Sequence, residues 1–108
     1  MQNENSRKGI IVDGTGIRSS VIAEILDLAH KYHIQRIILF GSRARGDYKR
    51  TSDIDLAVMG GDIARFALDV EEETSTLLKF DIVNLNRPVH DELMSSIEKE
   101  GKVLYEKI

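Results

Sequence analysis

The sequence predicts one α/β or α+β domain in which helices pack on a β-sheet. Helix-like and strand-like segments alternate along the 108 residues, and this alternation favours a layered fold over an all-helical bundle. The length and a hydrophobic content of 42% suit one ordinary core rather than two. We therefore predict a single domain over residues 17–108. Residues 1–16 are polar and glycine-rich, which predicts an N-terminal arm or an edge strand.

Three segments have the apolar spacing of amphipathic helices. The first covers residues 17–32, with Ser19 or Thr15 as its expected N-terminal cap. The second covers about 62–74, and the third runs over 88–101, between a proline that suits a helix start and a glycine that suits a helix end. Each of these helices should lay one apolar stripe on the sheet.

Four segments have the composition of strands. Residues 34–40 form a β-branched and aromatic run that stops at Gly41, as a buried central strand would. Residues 53–59 alternate apolar and polar side chains, which is the period of a strand with two different faces. Residues 80–85 form a third strand, and a last short strand is predicted at 102–105.

Three carboxylates lie on two of these predicted strands. Asp53 and Asp55 are two residues apart, so they project from the same side, and Asp81 lies in the next strand. At about 5 Å and an effective dielectric constant near 20, two carboxylates repel each other by roughly 3 kcal/mol, and a divalent cation reverses the sign. Carboxylates without His or Cys favour Mg²⁺ or Mn²⁺ over zinc, and two such ions can activate an attacking oxygen and stabilise a leaving pyrophosphate.

A short basic loop, with at most one helical turn, is predicted after the first strand. Gly41 and Ser42 begin it, where glycine lets a backbone amide approach a phosphate and serine adds a hydroxyl donor. Four cations follow within nine positions: Arg43, Arg45, Lys49 and Arg50. We expect Arg45 to contact a phosphate, whereas the last two cations fit plain surface charges equally well.

Composition excludes several broad classes. A net charge of −3 gives no support to direct nucleic-acid binding, and any phosphate must be held locally. The chain has no cysteine, which excludes disulfides and thiolate metal sites. Its apolar runs are far shorter than the roughly 20 residues that span a bilayer, so we expect a cytoplasmic protein without a membrane segment.

The segment GSRARGDYKRTSDIDLAV carries Gly41-Ser42, ten further residues and Asp53-x-Asp55. With the third carboxylate in FDIV, it resembles the signature of the DNA polymerase β-like nucleotidyltransferase superfamily. The resemblance runs from about Ile17 to the C-terminus. The short chain looks like a stand-alone minimal nucleotidyltransferase, a group that includes the antitoxin of HEPN/MNT toxin-antitoxin pairs.

This resemblance implies a mixed sheet with helices packed mainly on one side. It implies that Gly41 and Ser42 grip the phosphates of an NTP, that Asp53 and Asp55 bind two metal ions, and that Asp81 binds the catalytic ion and helps to take the acceptor's proton. In the HEPN/MNT case, ATP supplies AMP to a tyrosine of the partner toxin. Two alternatives stay open: an antitoxin that acts by binding with little or no catalysis, and a small-molecule nucleotidyltransferase of the antibiotic-modifying kind.

Overall fold

The computed structural model describes residues 14–107. In this part of the chain, four helices alternate with four strands. In order they are α1 (Ser19–Lys31), β1 (Arg36–Phe40), α2 (Ser42–Arg45), β2 (Ile54–Met59), α3 (Ile63–Glu73), β3 (Phe80–Asn84), α4 (Asp91–Glu100) and β4 (Lys102–Glu106). The arm predicted for residues 1–16 lies outside the described residues except at its last three positions. No helix in the described range is long and apolar enough to cross a membrane.

The four strands form one mixed sheet in the order β3-β2-β1-β4. Strand β1 runs antiparallel to both β2 and β4, whereas β2 and β3 are parallel. A parallel pair needs a crossover, and α3 provides it between β2 and β3. The mixed sheet that the resemblance implied is therefore confirmed.

The main core lies between the sheet and the helices α1 and α3. Its side chains come from alternate positions of the strands, so β2 contributes Ile54, Leu56 and Val58, all without solvent exposure. Phe66 of α3 and Ile25 of α1 are equally buried against them. The predicted alternation of residues 53–59 and the apolar stripes of these two helices are thus confirmed.

The opposite face of the sheet carries α4 and a much smaller apolar cluster. Phe40, Ala57 and Ile97 are its buried members. Helices α1 and α3 therefore pack on one face and α4 packs on the other. This agrees with the expectation that the helices lie mainly on one side of the sheet. Asp55 and Asp81 belong to the α4 face because they alternate with the core residues of β2 and β3.

Two predicted helix starts are wrong. The N-cap of α1 is Arg18, which makes no side-chain capping bond, and the hydroxyl of Thr15 instead accepts a hydrogen bond from the Ile17 amide at 3.2 Å. Helix α4 begins at Asp91, three residues after Pro88. Proline fits a turn as well as a first helical turn, and the two acids that open α4 suit the positive end of a helix.

Candidate active site

The polar end of the sheet is formed where β1 ends and where β2 and β3 begin. In the register of the sheet, Asp55 lies between Phe40 of β1 and Asp81 of β3. Residues in register on neighbouring strands project from the same face. The fold therefore brings Asp55, Asp81 and the Gly41 that follows β1 to one edge, although they are far apart along the chain.

Gly41 lies directly against Asp55. Its φ of +75° belongs to the left-handed region, which L-residues with a side chain seldom adopt. A Cβ at this position would overlap the Oδ2 atom of Asp55. Glycine is required here both by the backbone conformation and by the space that the carboxylate occupies.

Asp55 is less exposed than Asp53 and Asp81. Burial, followed by the negative charges of Asp81 and Asp53, raises its pKa to about 6, and the guanidinium groups of Arg45 and Arg43 oppose this increase. Asp53 lies one residue before β2 rather than within it, and both Asp53 and Asp81 are exposed. The half-buried Asp55 thus stands between two solvated carboxylates.

This donor set fits a hard divalent cation in its chemistry, but its side chains do not converge on one point. Among residues 14–107, no three Asp, Glu, His or Cys side chains are grouped closely enough to hold a metal ion. Mutual repulsion favours separation of like charges. A cation would oppose the burial and the repulsion from Asp81 and Asp53 that raise the pKa of Asp55. The residues present therefore suit Mg²⁺ or Mn²⁺.

The predicted helical turn after β1 is confirmed as α2, which starts at Ser42. Ser42 is half-buried, and the first amides of any helix have no carbonyl partner within that helix. Arg45, at the end of α2, is exposed and forms ion pairs with Asp47 at 3.3 Å and with Glu100 at 3.1 Å. A phosphate that binds Arg45 would compete with these two carboxylates.

Arg43 has a structural role that the sequence did not reveal. It is 1% exposed, and its guanidinium donates to the carbonyls of Thr15 at 2.8 Å and Ser52 at 3.0 Å. It also donates to the carbonyls of Lys49 and Arg50, and it stacks on the ring of Tyr48. Arg43 thereby fixes the whole loop that joins α2 to β2.

One feature of the spacing bears on this role of Arg43. Residues two positions apart on a helix point in different directions, so Arg43 and Arg45 could not both face the same ligand. Which of the two turns inward depends on the carbonyls of the folded loop. That information lies in the tertiary structure and not in the spacing.

A broad recess of about 1110 Å³ opens beside Asp53. It lies between the loop that leads into β2 and the loop of residues 75–79 that leads into β3. Its lining includes three exposed cations (Arg18, Arg50 and Lys79), together with Tyr48, Leu77 and Leu78. The sequence did not predict this recess, because its walls come from three separate parts of the chain.

Comparison with known proteins gives two matches at the level of sequence. Residues 23–108 match the family described as Polymerase beta, Nucleotidyltransferase. A curated protein from Methanocaldococcus jannaschii, provisionally assigned as a protein adenylyltransferase, is 36% identical over 89 residues. That alignment covers 72% of this chain and 87% of the relative.

Solved structures with the same fold include a chain from a toxin-antitoxin with AMP-PNP. It is 29% identical with a TM-score of 0.65, and the match covers 80% of this chain and 73% of that chain. A mutant of the MntA-HpeT toxin-antitoxin is 26% identical with a TM-score of 0.64 and the same coverage. A provisionally assigned nucleotidyltransferase from Sulfolobus solfataricus, 22% identical with a TM-score of 0.53 and 93% coverage of both chains, supports the fold alone.

Proposed function

This chain belongs to the polymerase β nucleotidyltransferase family and is a nucleotidyltransferase, and from that premise we propose that it transfers AMP from ATP to a hydroxyl of a partner protein. The observation that carries the proposal is the register of the sheet, which places Asp55, Asp81 and Gly41 at one end of the strands. Asp53 and Ser42 are their neighbours along the chain, directly before β2 and at the start of α2. We further propose that the transfer takes place in the cytoplasm and that the chain acts as an antitoxin.

The proposed reaction forms one P–O bond, breaks another and moves one proton. The acceptor oxygen attacks the α-phosphorus of ATP, the bond to the bridging oxygen of the β-phosphate breaks, and pyrophosphate leaves. The proton of the acceptor hydroxyl passes to the carboxylate of Asp81. Two Mg²⁺ or Mn²⁺ ions, held by Asp53 and Asp55 and one of them also by Asp81, would neutralise phosphate charge and make the acceptor oxygen a better nucleophile.

The loop after β1 would hold the triphosphate. Gly41 allows the backbone to approach a phosphate closely, and the Ser42 hydroxyl donates to a phosphate oxygen. Arg45 would exchange its ion pairs with Asp47 and Glu100 for a phosphate. These groups keep the leaving pyrophosphate at the β1 end of the site.

A protein hydroxyl is the acceptor class that the comparisons favour. The curated relative is assigned as a protein adenylyltransferase, and similar chains occur in solved toxin-antitoxin pairs. By this likeness we propose a HEPN-type toxin as the partner and a tyrosine as the residue that is modified.

The test uses ATP labelled on the α-phosphate, Mg²⁺ and the purified product of the neighbouring reading frame. We expect the label to appear on that protein with ATP labelled on the α-phosphate but not on the γ-phosphate. Substitution Asp53→Ala/Asp55→Ala should lower the rate by about 1,000-fold or more, since it removes two of the groups that hold the ions. Transfer that persists in the double variant would contradict the metal mechanism.

Two other functions predict different outcomes when toxin neutralisation is measured beside label transfer. If the double variant neutralises the toxin as well as the wild type does, the chain acts by binding alone. If the label reaches an aminoglycoside and no protein, the chain is a small-molecule nucleotidyltransferase. Asp81→Asn tests the third carboxylate separately, and a rate within threefold of wild type would remove Asp81 from the mechanism.

A further inference from the structure

The recess beside Asp53 differs in charge from the rest of the chain. The protein carries a net charge of −3, yet Arg18, Arg50 and Lys79 surround the recess. Among the described residues of its lining, Asp53 is the one acid. A local excess of positive charge in an acidic protein attracts an acidic partner and accelerates its association.

Leu77 stands at the rim of this recess and is completely exposed. Its loop is nevertheless held firmly on both sides. The Ser75 carbonyl accepts a hydrogen bond from Arg18 at 3.1 Å, and the Ser75 amide donates to Glu24 at 2.9 Å. On the other side, the Lys79 carbonyl accepts from the Ile54 amide at 2.9 Å. Leu77 is therefore exposed on a loop that hydrogen bonds hold in place on both sides.

The position of the recess matches the direction from which an acceptor must come. This step rests on the proposed function, in which the pyrophosphate leaves at the β1 end of the site. In an in-line displacement, the attacking oxygen enters opposite the leaving group. The opposite side is that of β3, and the loop of residues 75–79, which leads into β3, forms one wall of the recess. The facing wall comes from the segment between α2 and β2, so the recess opens from Asp53 towards the β3 side.

We propose that the recess is the docking surface for the acceptor protein. The docking segment carries acidic side chains that face Arg18, Arg50 and Lys79, and an apolar side chain that packs on Leu77. The recess would thus hold the acceptor beside Asp53, the one of the three carboxylates that lines it. Neither the carboxylates nor the phosphate loop would select the acceptor in this arrangement.

The experiment measures how tightly the purified product of the neighbouring reading frame binds, without nucleotide, to charge-reversed variants. Arg50→Glu/Lys79→Glu should weaken binding by at least about tenfold, and Leu77→Ser by about fivefold. The matched control is Lys31→Glu/Lys107→Glu, which makes the same change of charge at the opposite edge of the sheet, next to the start of β1 and the end of β2. The affinity of this control variant should stay within twofold of the wild-type affinity.

A second measurement separates acceptor binding from nucleotide binding. The affinity for AMP-PNP with Mg²⁺ should be equal in the wild type and in Arg50→Glu/Lys79→Glu. If AMP-PNP affinity falls while acceptor affinity is unchanged, the recess is a nucleotide site and the proposal is wrong. Equal losses in the control and in the recess variant would also overturn it, because they would indicate attraction by overall charge.

The design distinguishes this inference from the proposed function. If the wild type binds the neighbouring protein through the recess but transfers no label, docking stands and the transfer proposal fails. If the wild type transfers label and the recess variants bind and react as well as it does, the transfer proposal stands and docking fails.

Discussion

The two faces of the sheet differ in what their side chains contribute. On the face covered by α1 and α3, the strand side chains are apolar and have almost no contact with solvent. On the face covered by α4, a small cluster around Phe40, Ala57 and Ile97 is followed by the carboxylates Asp55 and Asp81. One face supplies most of the apolar core, and the other carries two of the carboxylates that we propose for catalysis.

Strand β2 serves both faces through its alternation. Ile54 and Leu56 point into the main core, whereas Asp55, between them, points to the α4 face. Substitutions at neighbouring positions of one strand should therefore have unrelated effects. Substitutions in the main core should act mainly on stability, and substitutions of the carboxylates should act mainly on nucleotidyl transfer.

The largest expected effect is on stability and comes from the α1/α3 face. Phe66→Ala should lower the free energy of unfolding by about 3 to 5 kcal/mol, because it empties the centre of the main core. Ile97→Ala, in the small cluster under α4, should cost about 2 kcal/mol. Urea unfolding measures both. Equal costs would mean that the two faces support the fold alike.

The next effect separates the two faces by activity. Gly41→Ala should lower the transfer rate by about 100-fold, because the new methyl group displaces Asp55 and the backbone conformation is unfavourable for alanine. Gly46 is the matched control, since its φ is +95° and no atom lies within 4 Å of an added Cβ.

Gly46→Ala should cost about 1 kcal/mol of stability but leave the rate within threefold. Initial rates of label transfer, per folded molecule, compare the two variants. A loss of rate in Gly46→Ala as large as in Gly41→Ala would show that strain of the loop, and not the contact with Asp55, controls activity.

The smallest expected effect is the loss in the free energy of unfolding that the ionised Asp55 carboxylate causes. The pKa of Asp55 is about 6 in the folded protein and near 3.8 in the unfolded chain. The folded state therefore binds this proton more tightly, and stability falls as the pH rises from about 4 to 6. With a chelator present, Asp55→Asn should stabilise the protein at pH 7.5 by on the order of 1 kcal/mol after solvent screening.

Most of the gain should be lost near pH 3.5, where Asp55 is protonated in the folded state and mostly protonated in the unfolded chain. Urea unfolding at the two pH values measures the difference. An equal gain in stability at both pH values would indicate that the gain comes from a packing change and not from the charge of Asp55.

The sequence alone predicted the structure correctly where one local pattern determines it. The alternation of β2 placed its core residues and Asp55 on opposite faces, and the apolar spacing located α1 and α3. The signature around Gly41 and Asp55 led to the family that the comparisons confirm. These features depend on residues close together in the chain.

The sequence alone did not predict the features that depend on contacts between distant segments of the chain. The inward turn of Arg43 depends on the carbonyl of Thr15, 28 positions away. The ion pair between Arg45 and Glu100 joins α2 to α4. The exposure of Leu77 follows from how residues 75–79 are anchored to α1 and β2. No spacing rule predicts these contacts.

The division between the faces is tested most directly by the transfer rate per folded molecule of Asp55→Asn, measured beside its free energy of unfolding at pH 7.5. The account predicts a variant that is more stable than the wild type and transfers AMP at least about 100-fold more slowly. A variant that keeps the wild-type rate, or that loses rate only in proportion to lost stability, would contradict it.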